Sequence, residues 1–187
     1  MTLDELKTRL NLLPPLPDPH LPAHAYPAAV LMPVLQTGQG LELILTRRSR
    51  HLRNHPGQVS FPGGRVESTD TSLWHTAVRE SWEEIGLLPE LCQPLAQLQA
   101  QYTISDFALT PFLGLIEGSP EFKLNPGEVD ELFQVPLEYL LDLRHHHLFY
   151  ANRQGQRHQV VFIRWRGVWI WGITAAIIHQ LAQQIAR

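Results

Sequence analysis

Three glutamates, Glu80, Glu83 and Glu84, sit in the run Arg79-Glu80-Ser81-Trp82-Glu83-Glu84-Ile85-Gly86-Leu87. On a helix, side chains three and four apart share a face, so this spacing puts all three carboxylates on one stripe. Like charges so placed destabilise an isolated helix, and the pattern therefore calls for a cation. A hard divalent ion such as magnesium takes a few carboxylate oxygens and leaves room for water and a substrate phosphate. Arg79 cannot face the same way and is placed to brace a neighbouring carboxylate or the preceding loop. A Glu-Glu pair by itself reads equally as a solvated acidic face, so the surroundings have to decide.

Upstream lies a basic run, Arg47, Arg48, Arg50 and Arg53 with His51 and His55 between them, just before Phe61-Pro62-Gly63-Gly64. Arginine forks suit phosphate oxygens; a polar strand edge with scattered arginines is the alternative. Glu128, in Asn125-Pro126-Gly127-Glu128, is a candidate base or extra ligand, or else a solvated loop acid. The run His145-His146-His147 looks like metal chemistry, but consecutive side chains diverge, so it reads as a loop. Trp165, Trp169 and Trp171 read as core rather than as a base-stacking platform. Cys92, the one cysteine, reads as a small buried hydrophobe and excludes an intrachain disulfide.

The elements that must position these groups follow from pattern and punctuation. Thr2 and Glu5 form a capping box for a short helix through Leu12. Pro14 to Pro27 is an extended proline-dense arm. Ala28–Leu35 and Leu41–Arg47 form a hairpin about Thr37-Gly-Gln-Gly40. Gln58–Phe61 is a short strand that ends in a turn at Pro62-Gly63-Gly64. Apolar spacing predicts a helix over Thr71–Ile85, stopped by Gly86 and kept from resuming by Pro89. Strands are expected at Leu95–Ile104, Ala108–Ile116 and Glu128–Val135, with a short helix from Pro136 to Leu141. His147–Ala151 and His158–Trp165 flank a hairpin signal at Asn152-Arg-Gln-Gly155. A C-terminal helix is expected from about Gly172 to Ala186. The greasy run Val168–Ile178 is too short to span a membrane and reads as a buried core helix. The whole reads as one mixed domain with helices on both faces of a sheet.

The stretch from Gly64 to Leu87 resembles the signature of the Nudix hydrolases: Gly, five residues, Glu, seven residues, Arg-Glu, an aliphatic, any residue, Glu-Glu, any residue, Gly, an aliphatic. Arg79 to Leu87 matches apart from Ser81 at an aliphatic position. The first half departs: Asp70 stands at the glutamate's place and eight residues separate it from Arg79, so either Asp70 or Glu67 takes the loop acid's structural part. The run Leu45-Thr46-Arg47-Arg48-Ser49, with Arg53, Gly57 and Phe61-Pro62-Gly63-Gly64, resembles the second motif of the coenzyme A diphosphatase branch. Thr110-Pro111-Phe112, Glu128-Val129 with Phe133 and Pro136-Leu137, and Trp171-Gly172-Ile173-Thr174-Ala175 look like that branch too. The resemblance covers roughly residues 28–180.

The resemblance implies an α/β/α sandwich with a mixed sheet. Residues 28–187 would form the Nudix domain, with 1–27 as a helix and proline-rich arm packed on it. It implies magnesium or manganese held by Glu80, Glu83 and Glu84, with Glu83 and Glu128 as candidate catalytic groups. Substrate would be met by Arg47, Arg48, Arg53, Gly63 and Gly64. The chemistry is consistent, since diphosphate hydrolysis needs in-line attack by water and charge relief on phosphate oxygens. The expected reaction cleaves coenzyme A or its thioesters to 3′,5′-ADP and 4′-phosphopantetheine. A Nudix hydrolase for ADP-ribose, dinucleotides or a noncanonical nucleotide is the alternative. A non-hydrolytic nucleotide sensor is disfavoured by the retained carboxylates. Net charge is −3, which offers no field for nucleic acid, and the N-terminus lacks a secretory signal. A small-molecule substrate in the cytoplasm, with no nucleic acid or membrane partner, is the expectation; monomer and homodimer both stay open.

Overall fold

Two long apolar strands run parallel at the centre, and everything that builds the site hangs on where their neighbours part. The computed structural model describes residues 1–13, 21–153 and 155–185. Strand β1 (Tyr26–Thr37) pairs in parallel with β7 (Phe107–Ile116), while its other partners are antiparallel, so the sheet is mixed. On the far edge of β1, β2 (Gly40–Arg48) pairs only from Val34 to Thr37. Below that point the two strands diverge. The gap is filled by β3 (Val59–Ser60) against β2 and β4 (Gly63–Arg65) against β1. β8 (Val129–Pro136) lies on the outer edge of β2, and β5 (Cys92–Gln97) and β6 (Gln101–Tyr102) lie on β7.

Alternate side chains of these strands feed two cores. Ala29, Leu31, Ile44, Phe112 and Ile116 pack under α2 (Leu73–Ile85) on one face. Val30, Met32, Val34, Leu43, Leu45 and Leu113 face α1 (Leu3–Asn11), α3 (Leu137–Leu141) and α4 (Gly172–Ile185) on the other. The expected α/β/α layering is therefore present. A separate antiparallel sheet, β9 (His146–Arg153), β10 (Gln156–Trp165) and β11 (Val168–Trp171), adds Val161, Ile163 and Ile170 to the second core. Among the described residues no helix is long and apolar enough to cross a membrane.

Several local expectations hold and several are corrected. The Thr2–Glu5 capping box is formed, and Gly86 ends α2 at φ 71°, the left-handed value a glycine adopts without strain. The Pro62-Gly63-Gly64 turn is instead the entry to β4, because Gly63 and Gly64 pair with Val30 and Ala29. The single strand expected over Leu95–Ile104 is two pieces, with a register shift at Pro94, which has no N–H to give the ladder. The run Val168–Ile178 divides into a strand and a helix at Gly172, which sits at φ 66°. His145 to His147 is a 3-10 turn entering β9 rather than a loop: His146 is buried and its ring bonds His179 Nδ1 at 2.8 Å and the Leu140 carbonyl at 2.8 Å. Trp169 and Trp171 are not core, being 48% and 42% exposed. The proline-dense arm gives a turn at Pro22–Ala25 before β1; its residues 14–20, the hairpin residue Gln154 and Ala186 lie outside the described residues.

α1 is held to the domain through Leu6, which is fully buried in the second core. Leu6→Ala should lower the unfolding free energy by about 2–4 kcal/mol, the transfer loss plus the cavity. Equilibrium denaturation with guanidinium measures it; an unchanged midpoint would show that α1 does not share the core.

Candidate functional site

The wedge between β1 and β2 delivers backbone, not side chains, to the face of α2. A Cβ on Gly63, at φ 153°, would strike the Ala29 carbonyl and approach the Val30 Cα to 2.6 Å. A Cβ on Gly64 would overlie the Glu80 carboxyl, 2.8 Å from Oε2. Both glycines are thus required by close approach, one to the central strand and one to a site carboxylate. The Gly63 N–H is directed to Glu84 and favours its charged form.

Arg79 fastens this wedge to the helix. Its guanidinium donates Nε and Nη2 to the two oxygens of Asp70, each at 3.0 Å, and Nη2 to the Arg65 carbonyl at 2.9 Å. It also pairs with Glu80 at 3.1 Å and with Glu83 at 2.9 Å. The Asp70 side chain has no exposed surface and accepts further bonds from the Glu67 N–H and the Thr76 hydroxyl, both at 2.9 Å. The arginine holds the Asp70 carboxyl well below the usual carboxylate range, and in turn the pair raises the arginine. Asp70, not the exposed Glu67, therefore carries the loop acid's part. Ser81 fits its aliphatic position because its buried hydroxyl donates to the Ala77 carbonyl at 2.7 Å.

The three helix carboxylates differ in environment. Glu84 is 4% exposed, and burial pushes its pKa up to about 8, Arg48 opposing and Glu80 and Glu128 reinforcing. Glu80 is raised chiefly by burial, against the pull of Arg79. Glu83 stands at the rim, its side chain 42% exposed and held by Arg79. Glu128 is brought in by the segment after β7, which bonds the end of α2 through Lys123 N–H to the Ile85 carbonyl and Asn125 N–H to the Glu84 carbonyl, both 2.9 Å. The Glu128 carbonyl then accepts the Ser49 N–H at 2.8 Å, tying it to the end of β2. No pattern in the sequence announces these tethers, since they are backbone bonds between segments far apart in the chain.

The arginines separate. Arg48 lies on the α2 face, close enough to favour ionised Glu84, and its buried Nε has no hydrogen-bond partner among the described residues. Arg47, one residue away on the opposite face, bonds Glu131 at 3.0 Å and lies over the Phe133 ring. Arg53 and its neighbours Arg50, His51 and His55 occupy the exposed loop between β2 and β3, with the Arg50 N–H bonded to Asp130 at 3.2 Å. The site thus gathers Glu80, Glu84, Glu128, Arg48, Gly63 and Gly64, with Glu83 at its edge; Arg53 lies in the exposed loop after β2, and Arg47 faces the other way.

Glu84 buried beside the half-buried Glu80, against an arginine with an unused donor, fits a hard cation with oxygen ligands. Among the described residues no three His, Cys, Asp or Glu side chains converge to hold one ion, so Glu80 and Glu84 would leave most of its coordination to water and substrate oxygens. Glu84 makes a pH dependence. An acid whose pKa is raised on folding binds its proton more tightly in the folded state. The folded state is then favoured at low pH and loses that advantage as pH rises from the ordinary glutamate value toward about 8. Urea denaturation in chelator across that window should show stability falling with pH, and Glu84→Gln should flatten the fall. A wild-type profile without that slope would mean that Glu84 is solvated.

A family model for the NUDIX domain matches residues 25–162. The chain is 42% identical over 185 residues to a protein of Pectobacterium atrosepticum named uncharacterized Nudix hydrolase NudL, covering 98% of this chain and 95% of that one. A protein of the same name from Photorhabdus laumondii is 40% identical over 185 residues, covering 99% and 98%. Among solved structures, the Nudix hydrolase RenU of M. smegmatis superposes with a TM-score of 0.54 at 20% identity, over 63% of this chain and 74% of that one. A C. elegans Ap4A hydrolase superposes with a TM-score of 0.52 at 19% identity, over 59% and 80%. At those identities the likeness speaks for the fold alone.

Proposed function

The chain belongs to the Nudix family, hydrolases of phosphorus-containing anhydrides in nucleoside diphosphate-linked substrates, and from that premise we propose that it cleaves coenzyme A and its derivatives. The products are 3′,5′-ADP and 4′-phosphopantetheine, or its acylated form. The observation that carries the reading is Arg48 facing Glu84, with Arg53 in the exposed loop that follows it. Coenzyme A brings a 3′-phosphate besides its diphosphate, and Arg48 and Arg53 offer two cations at different depths.

Glu80 and Glu84 would hold a magnesium or manganese ion, with Glu83 assisting from the rim. Such an ion would supply charge relief on the diphosphate oxygens. Arg48 directs its free donor toward the same oxygens. Glu128 accepts the proton of the attacking water as the new phosphorus–oxygen bond forms and the anhydride bond breaks. Arg79, committed to Asp70, keeps Glu80 and Glu83 in place and touches no substrate. Gly63 and Gly64 line the diphosphate with backbone alone. Arg47, bonded to Glu131, braces the base of the loop rather than reaching a phosphate. The reaction so read is cytoplasmic and uses a small-molecule substrate.

A product assay over coenzyme A, ADP-ribose, NADH and diadenosine polyphosphates tests the substrate. Coenzyme A should give the highest kcat/KM, only with magnesium or manganese and not in chelator. Faster cleavage of ADP-ribose or a dinucleotide would replace the substrate, and turnover in excess chelator would remove the metal. In the same assay Glu84→Gln should lose roughly a hundredfold or more in kcat, because the ion's charge relief amounts to several kcal/mol.

The second prediction concerns selectivity. A charge-assisted hydrogen bond of about 1.5–3 kcal/mol corresponds to roughly a ten- to hundredfold preference for coenzyme A over its 3′-dephospho form. Arg53→Ala should abolish that preference by weakening coenzyme A alone. If both substrates weaken together, Arg53 braces the loop; equal wild-type values would end the 3′-phosphate reading while leaving the diphosphatase reading intact.

A further inference from the structure

The second sheet is apolar on both faces, and only its inner face reaches the core. Along β10, Val160-Val161-Phe162-Ile163 gives apolar side chains to each face in turn, and β11 reads Val168-Trp169-Ile170-Trp171. Strands of that composition belong to sheets buried on both sides, whereas an antiparallel sheet with one wet face alternates apolar with polar. Here Val161, Ile163 and Ile170 are buried in the second core. The register places His147, Phe149, Val160, Phe162, Arg164, Trp169 and Trp171 together on the outer face. Phe162 is the hub of that face. It meets Phe149 edge-on at 5.3 Å and Trp169 edge-on at 6.3 Å, and it stacks with Trp171 at 6.2 Å. The rings therefore make one surface, with Phe149 59% exposed and both tryptophans about half exposed.

We infer that this outer face is a homodimer interface, covered in solution by the same face of a second copy. Area is the first argument. Aromatic side chains carry about 150–250 Å² each, so Phe149, Trp169 and Trp171 leave on the order of 300 Å² uncovered, and Val160 and Phe162 add to it. A stable interface buries roughly 800 Å² per partner, a little over half of it apolar, and the patch meets most of that apolar requirement. Charge is the second. Among the described residues the register puts no carboxylate on this face; of the two arginines it does put there, Arg164 already lies over Trp169 with 5.4 Å to the ring centroid, and Arg153 falls at the far end of β9, away from the ring cluster. A basic partner finds no acid to match. A two-fold axis through Phe162, the hub of the ring cluster, sets the two Arg164 side chains on opposite sides, so an isologous contact does not bring them together.

Sedimentation velocity on the full chain across the micromolar range tests the inference. The wild type should run at twice the chain's mass and dissociate on dilution. Phe149→Lys and Trp169→Lys should run as monomers with unchanged circular dichroism, each placing a charge in the apolar centre. Ile104→Lys, at a still more exposed apolar site away from this sheet, should remain dimeric. A monomeric wild type at every concentration would overturn the inference. So would dimers in both lysine variants, or dissociation by Ile104→Lys instead. A readout without variants guards against misfolding: acrylamide quenching of wild-type tryptophan fluorescence should rise on dilution, and quenching independent of concentration counts against a dimer through this face.

Discussion

The Arg79–Asp70 pair is the constraint on which the site depends. Asp70 sits in the irregular segment between β4 and α2, and without a fixed partner that segment would have no reason to hold one path. The bidentate contact, with Glu67 and Thr76 completing the Asp70 oxygens, turns the segment into a rigid strut between wedge and helix. The same guanidinium then reaches the Arg65 carbonyl, Glu80 and Glu83. Position of the wedge and position of two helix carboxylates are thus one variable rather than three. The extra residue before Arg79 and the shorter acid are compatible with the fold because aspartate, fully enclosed, still meets the arginine squarely.

Glu84 shows the opposite economy. It faces inward from a helix whose buried row otherwise consists of Thr76, Ala77, Val78, Ser81 and Ile85, and its charge is opposed by burial and by two other carboxylates. Left to itself such a group takes up a proton. What stands against that is Arg48 and the Gly63 N–H, each supplied by a different segment. A site of this kind keeps its charge only while both partners stay in place. It works only if the divergence of β1 and β2 lets the glycines come close enough to touch the helix.

The second sheet follows a different logic from the first. Its inner face completes the core beneath α4, where the Thr174 hydroxyl donates to the Val59 carbonyl at 3.2 Å and so ties the C-terminal unit to the wedge. Its outer face takes no part in that. The tryptophans are apolar enough for a core, but they alternate on a strand whose second face has no layer above it among the described residues.

Local chemistry was legible in the sequence wherever it depended on neighbours three or four residues apart. The capping box at Thr2 and the end of α2 at Gly86 are of this kind, whereas the three carboxylates share α2 but not one environment, Glu84 being buried and Glu83 held at the rim by Arg79. The mixed α/β layering was legible as well, because apolar periodicity alternated between the two types of element. What tertiary structure alone decided is which of equivalent residues does what. Arg47 and Arg48 are adjacent and alike, and only the pairing of β2 with β8 and β3 turns one to Glu131 and the other to Glu84. Asp70 and Glu67 were interchangeable until burial enclosed one of them. Pro62-Gly63-Gly64 carries a turn's composition, yet it forms strand because two diverging strands leave unpaired backbone for it to complete. Pairing between distant segments has no local signature, since its hydrogen bonds and its burial exist only once both segments are in place.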